Sequence, residues 1–290
     1  MELNTKQYFK KAAEGKYAIA QLNVSSADQM KVVARVASEL KAPFIFGTSE
    51  GESGFLGMKQ AVVLAELYAK ETGVPVILNA DHTKSLDKVK EYLDAGYNSI
   101  HIDGSLLPYE ENLEITKKTV EMCKEVSEDI SVEGELGRIG GTGSSKVFTE
   151  AVEIKKEFMT DPKQALEFAE ATGIDRLGVS IGNLHGISTV GEPKLDFERL
   201  QELNNILEDK CVLVLHGGSG IPEADIKKAV ELGIRKININ TELRLAFANT
   251  LKETLETGET TPYKFIAPAQ EKMAEVVKEK IELCGSEGRA

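Results

Sequence analysis

The sequence has little cysteine, no excess of positive charge and no long apolar run, and each shortage closes off a class of function. Cys123, Cys211 and Cys284 are all the cysteine in 290 residues. They are odd in number, lie far apart and lack CxxC spacing, which argues against a disulfide scaffold and predicts buried thiols in a reducing, cytoplasmic setting. The formal net charge is -12 at pH 7. Nucleic acid and an anionic membrane surface both repel such a chain, so neither is expected as a partner, and any phosphate has to be held locally by dipoles or a few cations. No apolar run approaches the roughly 20 residues that a membrane-spanning helix needs. The opening residues, Met1-Glu2-Leu3-Asn4, carry no basic apolar leader, so the expectation is a soluble protein. Low-complexity segments and solenoid repeats are missing as well.

What the chain does have is a regular alternation. Its 41% hydrophobic content is enough for a large core, and no compositional break divides it, so residues 1–290 are expected to form one domain. Short β-branched runs predict strands at Tyr17–Asn23, Phe44–Thr48, Pro75–Ala80, Ser99–Asp103, Ile130–Leu136, Leu177–Gly182, Val212–His216 and Ile234–Asn240. Amphipathic helices are predicted between them at Asp28–Leu40, Met58–Thr72, Leu86–Ala95, Tyr109–Val126, Pro162–Thr172, Asp196–Leu207 and Ala224–Leu232. Start signals include Ser26 and Asp161-Pro162, and Gly73, Gly96, Gly173 and Gly233 supply stops. Strands separated by helices are parallel, and eight such units close into a (β/α)8 TIM barrel, with an open doubly wound sheet as the alternative. Extra helices are expected at Thr5–Glu14 and Pro268–Leu283.

In such a barrel the carboxyl ends of the strands carry the chemistry. Three of the four histidines stand there: His82 after the third predicted strand, His185 after the sixth and His216 at the end of the seventh. A lone histidine at a strand end is more often a hydrogen-bonded structural residue, but three on one rim, with carboxylates between them, point to a metal site. Zinc suits three imidazoles, with a water or substrate oxygen completing the shell. Asp103 and Glu135 are placed to bind a second divalent ion or to orient the histidines, or else simply to solvate the rim. His216-Gly217-Gly218-Ser219-Gly220 precedes a helix, so its backbone N-H groups and the helix dipole suit a phosphate. Asn240-Thr241-Glu242 opens the next helix beside it, and Gly182-Asn183-Leu184-His185-Gly186 adds a third wall.

Taken in order, Asn79-Ala80-Asp81-His82, Ile102-Asp103-Gly104-Ser105, Val132-Glu133-Gly134-Glu135-Leu136-Gly137, Gly182-Asn183-Leu184-His185-Gly186, Leu215-His216-Gly217-Gly218-Ser219-Gly220 and Ile237-Asn238-Ile239-Asn240-Thr241 resemble class II, metal-dependent ketose-bisphosphate aldolases, the fructose- and tagatose-bisphosphate enzymes among them. The resemblance runs from about Lys6 to Gly285. It implies that His82, His185 and His216 bind catalytic Zn2+, with Asp103 and Glu135 as outer or second-site metal ligands and Asp81 as the acid/base. It further implies that Ser49 and Asn238 touch substrate oxygens, and that Gly186, Gly217, Gly218, Ser219, Asn240 and Thr241 hold the C1 phosphate. The implied reaction is reversible cleavage of a phosphorylated ketose, fructose 1,6-bisphosphate first, to dihydroxyacetone phosphate and glyceraldehyde 3-phosphate through a zinc-stabilised enediolate. Tagatose bisphosphate and other ketose phosphates are the alternatives. Family members also use a monovalent cation, Na+ or K+, near the glycine carbonyls, and form homodimers or homotetramers.

Three departures qualify the resemblance. The loop after Gly140-Gly141 reads Thr142-Gly143-Ser144-Ser145-Lys146 where relatives carry proton-transferring carboxylates, and its composition suits a flexible lid; the next acid is Glu150. Ile187-Ser188-Thr189 stands where a Tyr-Lys pair often follows His-Gly. Thr261-Pro262-Tyr263-Lys264 replaces an Asp-Pro-Arg whose arginine reaches a neighbour's second phosphate, and the ammonium of Lys264, a substitute for it, lacks a guanidinium's bidentate fork. Two other enzyme classes compete. A Schiff-base aldolase would need Lys236, for which a place on the barrel exterior or bottom beside Arg235 is expected instead. A zinc hydrolase would use Asp81 to activate water. A non-catalytic sugar-phosphate binding protein is the non-enzyme alternative.

Overall fold

The computed structural model describes residues 5–140, 146–150 and 154–290. In chain order the elements are α1 (Thr5–Gly15), β1 (Ile19–Asn23), α2 (Ala27–Glu39), β2 (Phe44–Ser49), α3 (Glu50–Leu56), α4 (Met58–Thr72), β3 (Val76–Thr83), α5 (Leu86–Ala95), β4 (Ser99–Ile102), α6 (Tyr109–Val126) and β5 (Ser131–Leu136). They continue with β6 (Lys146–Phe148), α7 (Pro162–Thr172), β7 (Arg176–Val179), β8 (Gly186–Ser188), α8 (Phe197–Leu207), β9 (Val212–Leu215), α9 (Glu223–Glu231), β10 (Ile234–Ile239), α10 (Thr241–Glu256) and α11 (Pro262–Leu283). Eight strands close in the order β1-β10-β9-β7-β5-β4-β3-β2, all parallel. The expected barrel forms, and the open-sheet alternative falls because β1 pairs with both β2 and β10.

The predicted punctuation stands at several helix ends, with Gly73, Gly96 and Gly173 as left-handed C-caps. Ser26 accepts the Gln29 amide hydrogen and Ser85 that of Lys88, each satisfying a donor that a helix N-terminus leaves free. Asp161 accepts from Lys163 and Gln164, with Pro162 in the first turn. Several elements escaped the sequence reading. The capped helix α3 follows β2 directly, whereas α10 is the helix expected to open at Asn240-Thr241-Glu242 and α11 is the expected C-terminal helix, begun at Pro262 rather than Pro268. The short strands β6 and β8 pair outside the barrel. Among the described residues no helix is long and apolar enough to cross a membrane.

Alternate residues of each barrel strand point outward and inward. Outward, Leu22, Phe46, Ile100, Leu177 and Leu213 join a continuous apolar layer with the surrounding helices, each such side chain contributing about 1.5–3 kcal/mol on burial. Inward, the barrel is stacked in layers. Ile19, Ile45 and Ile77 form the floor together with Phe9 and Ala12 of α1, which closes the amino-terminal end. Above them lies a polar layer. Arg176 stacks on Phe9 at 4.7 Å and donates to Glu133 (Nε to Oε2, 2.9 Å), to Ser99 (2.8 Å) and to Ser131. Lys236 also donates to Glu133 Oε2, at 2.7 Å. The exterior or bottom place expected for Lys236 is therefore corrected. Arg235 turns to the carbonyls of Val230 and Ile234, while Lys236, one residue on, faces the centre of the barrel.

Candidate metal centre and substrate cleft

The carboxyl ends of the strands form the top layer, and an irregularity in β3 shapes it. β3 pairs with β4 at Asn79 with Ser99 and Ala80 with Ile100, then slips to Thr83 with Ile102. That extra residue is a bulge, which re-aims the side chains beside it. His82 at the bulge has φ +52°, a left-handed conformation uncommon outside glycine. Consecutive strand residues ordinarily face opposite sides, and the sequence pattern ends this strand at Ala80. The strand instead runs on to Thr83, and the bulge turns both residues toward the cleft.

His82, Glu135, His185 and His216 each bring one donor atom to a common point, with all four atoms within 4.8 Å of one another. A second group within the same limit comprises Asp81, His82, His101 and His216. Ring-to-ring distances of 4.9 Å (His82 to His185), 4.8 Å (His82 to His216) and 5.7 Å (His185 to His216) describe three imidazoles around one space. Two of these rings also meet carboxylates: His82 Nδ1 lies 2.7 Å from Asp103 Oδ2 and His216 Nε2 lies 2.8 Å from Glu133 Oε1, while His216 Nδ1 is 3.2 Å from Asn238 Nδ2. Imidazole bound to metal through one nitrogen and to a carboxylate through the other is the usual arrangement at metal sites. Glu135 Oε2 is buried without a hydrogen-bond partner, a costly state for an anionic oxygen unless a cation meets it. The donor set therefore fits a divalent ion such as zinc.

Charge in the centre is strongly coupled. Burial opposes a positive His82, but Asp81, Asp103 and Glu135 outweigh it and raise the imidazole's pKa to about 9. Burial, with the nearby charge of Asp103, raises Glu135 to about 8. His216 is pushed down to about 3, mainly by burial. Both shifts favour the protonated forms of His82 and Glu135, and a cation binding there would compete with those protons.

Asp81 is buried and held by two amides: Asn23 Nδ2 donates to Oδ2 at 3.0 Å and Asn238 Nδ2 to Oδ1 at 3.1 Å. Burial alone would raise its pKa, but His82 above all, with His101, His216 and Lys236, holds it well below the carboxylate range, so the proton-accepting form is present at neutral pH. Beside Asp81 the cleft is walled by His185, Gly186, Gly217, Ser219, Asn240 and Thr241, with Ser49 on the β2 side. Gly217 has φ +66°, and a Cβ there would sit 2.0 Å from the Leu184 carbonyl oxygen, so only glycine lets the two loops meet. α10 starts at Thr241 and aims its N-terminus at this wall. Asn238 Oδ1 and Asn240 Oδ1 are buried acceptors without partners, available to hydroxyl groups of a ligand.

The predicted site residues gather unevenly. Asp81, His82, His185, His216, Ser49, Gly186, Gly217, Ser219, Asn238, Asn240 and Thr241 line one cleft, and Glu135 joins the donor cluster. Asp103 lies against His82, Lys84 and Ser105 and is in neither donor group. The Gly218 amide donates to the Asn238 carbonyl oxygen at 2.9 Å, so it is not free for a phosphate. Ser49 also caps α3 in a reciprocal box with Glu52. Lys264 pairs with Glu259 at 3.9 Å and does not line the cleft, and Glu150 is exposed. The proposed lid centred on Gly143, at residues 141–145, lies outside the described residues. His101, Glu133, Asn23 and Glu52 escaped the sequence reading. His101 and Glu133 stand two residues before Asp103 and Glu135, so strand periodicity puts each on the same inward face. Glu52 completes the Ser-x-x-Glu pattern of a capping box and accepts from Asn23 and Asn240 at 2.9 and 3.0 Å.

Comparison with known proteins agrees with this geometry. The family model described as fructose-bisphosphate aldolase class-II matches residues 3–289. The YdjI aldolase from Escherichia coli K12 is similar over 100% of both chains, with 33% identity and a TM-score of 0.84. A candidate fructose-1,6-bisphosphate aldolase from Coccidioides immitis is 25% identical over 99% of this chain and 98% of its own, also with a TM-score of 0.84. The fructose-bisphosphate aldolase of Campylobacter jejuni shares the fold, at 23% identity and a TM-score of 0.80 over 99% of this chain and 95% of its own. Barrel, donor cluster and whole-length match agree: this chain belongs to the class II fructose-bisphosphate aldolase family and is an aldolase-type lyase.

Proposed function

We propose that the protein reversibly cleaves a ketose 1,6-bisphosphate, fructose 1,6-bisphosphate first among them, to dihydroxyacetone phosphate and glyceraldehyde 3-phosphate, using Zn2+ held by His82, Glu135, His185 and His216. The observation that carries this reading is the donor cluster standing directly beside an ionised, amide-held Asp81 in a glycine-walled cleft. When bound there, the ion would act as a Lewis acid that stabilises negative charge developing on the ketose oxygen. Asp81 accepts the C4 hydroxyl proton, the C3-C4 bond breaks, and its electron pair moves toward the C2 carbonyl as the aldehyde leaves. Asn23 and Asn238 keep Asp81 aimed at that hydroxyl, and Asp103 orients His82 through Nδ1. The C1 phosphate rests on Gly186, Gly217 and Ser219 and on the start of α10 at Thr241.

The chain's own second-phosphate side favours one other reading. Tyr263 stands where relatives have the arginine that reaches a neighbour's second phosphate, so a ketose phosphorylated only at C1 is the competing substrate. A coupled cleavage assay on fructose and tagatose mono- and bisphosphates, with and without chelator, tests both. We expect chelator-sensitive cleavage of a bisphosphate. Equal rates on the monophosphate would give the substrate to the second reading, and chelator-resistant or absent cleavage of all four would reject the proposal.

A further inference from the structure

His101 is a buried histidine to which the reaction above gives no task. Its ring sits between those of His82 and His216, with centroid distances of 4.6 and 4.8 Å. Nδ1 accepts a hydrogen bond from the backbone N-H of His82 at 3.1 Å. Asp81 Oδ1 is 3.6 Å from the same nitrogen, beyond hydrogen-bond reach, so the amide is the partner. A backbone N-H can only donate, so Nδ1 carries no proton and the hydrogen of the neutral ring is on Nε2. Nε2 lies 3.5 Å from Glu135 Oε2, and both atoms are otherwise buried without a hydrogen-bond partner.

That amide belongs to the one residue of β3 held at φ +52°. A left-handed histidine inside a strand is strained and persists only where its surroundings fix it. We propose that His101 is a positioning residue: by accepting the His82 amide hydrogen, its Nδ1 holds the β3 bulge that turns the consecutive residues Asp81 and His82 into one cleft. Without that acceptor the partly buried amide is left unpaired. The strand can then relax to a regular pleat, which sends neighbouring side chains to opposite faces. Through Nε2 the same ring faces Glu135, so both ends of His101 meet members of the donor set. The proposal rests on the reading of His82 as a metal donor and Asp81 as the base.

Three variants of the zinc-loaded full chain separate positioning from mere space-filling. His101→Asn places an acceptor oxygen where Nδ1 stands, His101→Gln places it nearer Nε2, and His101→Ala supplies none. Zinc affinity measured by chelator competition should stay within about threefold of the parent in His101→Asn and fall about 10–100-fold in His101→Gln and His101→Ala, the usual range for losing a partner behind a metal ligand. kcat should fall more than KM rises in the latter two, because Asp81 leaves its place, and exchange of the His82 amide hydrogen should accelerate in them alone. Parent-like affinity and kcat in His101→Ala, or equal damage in His101→Asn and His101→Ala, would overturn the proposal. If the damaged variants do not fold, nitrogen NMR of the parent decides, since a protonated His101 Nδ1 contradicts it and an unprotonated one coupled to the His82 amide supports it. A parent that neither binds zinc nor cleaves ketose phosphates would sink the functional reading instead, while amide exchange and the ring nitrogen would still decide the bulge.

Discussion

Replacing Glu133 by glutamine should destabilise the barrel by several kcal/mol with almost no change in shape. Glu133 is fully buried and takes three hydrogen bonds: Arg176 Nε and Lys236 Nζ at Oε2, 2.9 and 2.7 Å, and His216 Nε2 at Oε1, 2.8 Å. Glutamine offers one oxygen and one NH2, so one side of the network becomes a donor facing a donor. The larger loss is charge, because Arg176 and Lys236, both fully buried, keep no anion between them. Breaking a buried pair from one side typically costs about 3–5 kcal/mol. Burial, with Arg176 nearby, already lowers the Lys236 pKa against the pull of Glu133. Lys236 can therefore shed its proton in the variant, which places the expected cost near the lower end, about 3 kcal/mol. At about 2–4 °C per kcal/mol for a domain of this order of size, the melting temperature should fall by about 6–12 °C. Urea unfolding followed by circular dichroism, with the parent's m-value, reads the difference directly. Lys236→Met should cost less, because Glu133 keeps Arg176. A Glu133→Gln midpoint equivalent to less than about 1 kcal/mol, the size of an ordinary single substitution, would refute the reasoning.

Other outcomes follow from the same geometry. Asp81→Ala should keep bound zinc, measured by metal analysis, yet lose most cleavage activity, and full activity in that variant would refute its role as base. Gly217→Ala places a methyl group 2.0 Å from the Leu184 carbonyl oxygen at φ +66°, so KM for a phosphorylated ketose should rise at least about tenfold as the anion wall deforms, a loss of about 1.4 kcal/mol. Burial raises the Cys123 and Cys284 thiols to about 12, so iodoacetamide at pH 8 should leave both unmodified in the native protein and label them in urea, as mass spectrometry would read.

The barrel was legible in the sequence because helix and strand periods alternate cleanly and caps such as Ser26 and Asp161 mark the turns between them. The rim histidines were legible for the same reason, since each follows an apolar run that had to be a strand. The bulge in β3 was not legible. Asp81-His82 reads as an ordinary strand end, and only the pairing slip against β4 reveals that one residue is left over. The polar middle of the barrel escaped for a related reason. Attention to strand ends passes over Glu133, Arg176 and Lys236, each of which looks misplaced alone and is satisfied only when strands far apart in sequence meet. His101 was hidden because it lies within the short strand Ser99–Ile102 rather than at its end, although Asp103 two residues on shares its face. Gly218 shows the opposite limit: a glycine loop reads as a row of free amides, but the Asn238 carbonyl takes one of them.

The central claim is that one divalent ion, held by His82, Glu135, His185 and His216, carries the reaction. The most direct measurement pairs X-ray absorption at the zinc edge with cleavage by the same sample before and after chelation. One zinc per chain coordinated by imidazole and carboxylate, with activity lost on stripping and restored by zinc, is the predicted result. Undiminished carbon-carbon cleavage by fully stripped protein would contradict it.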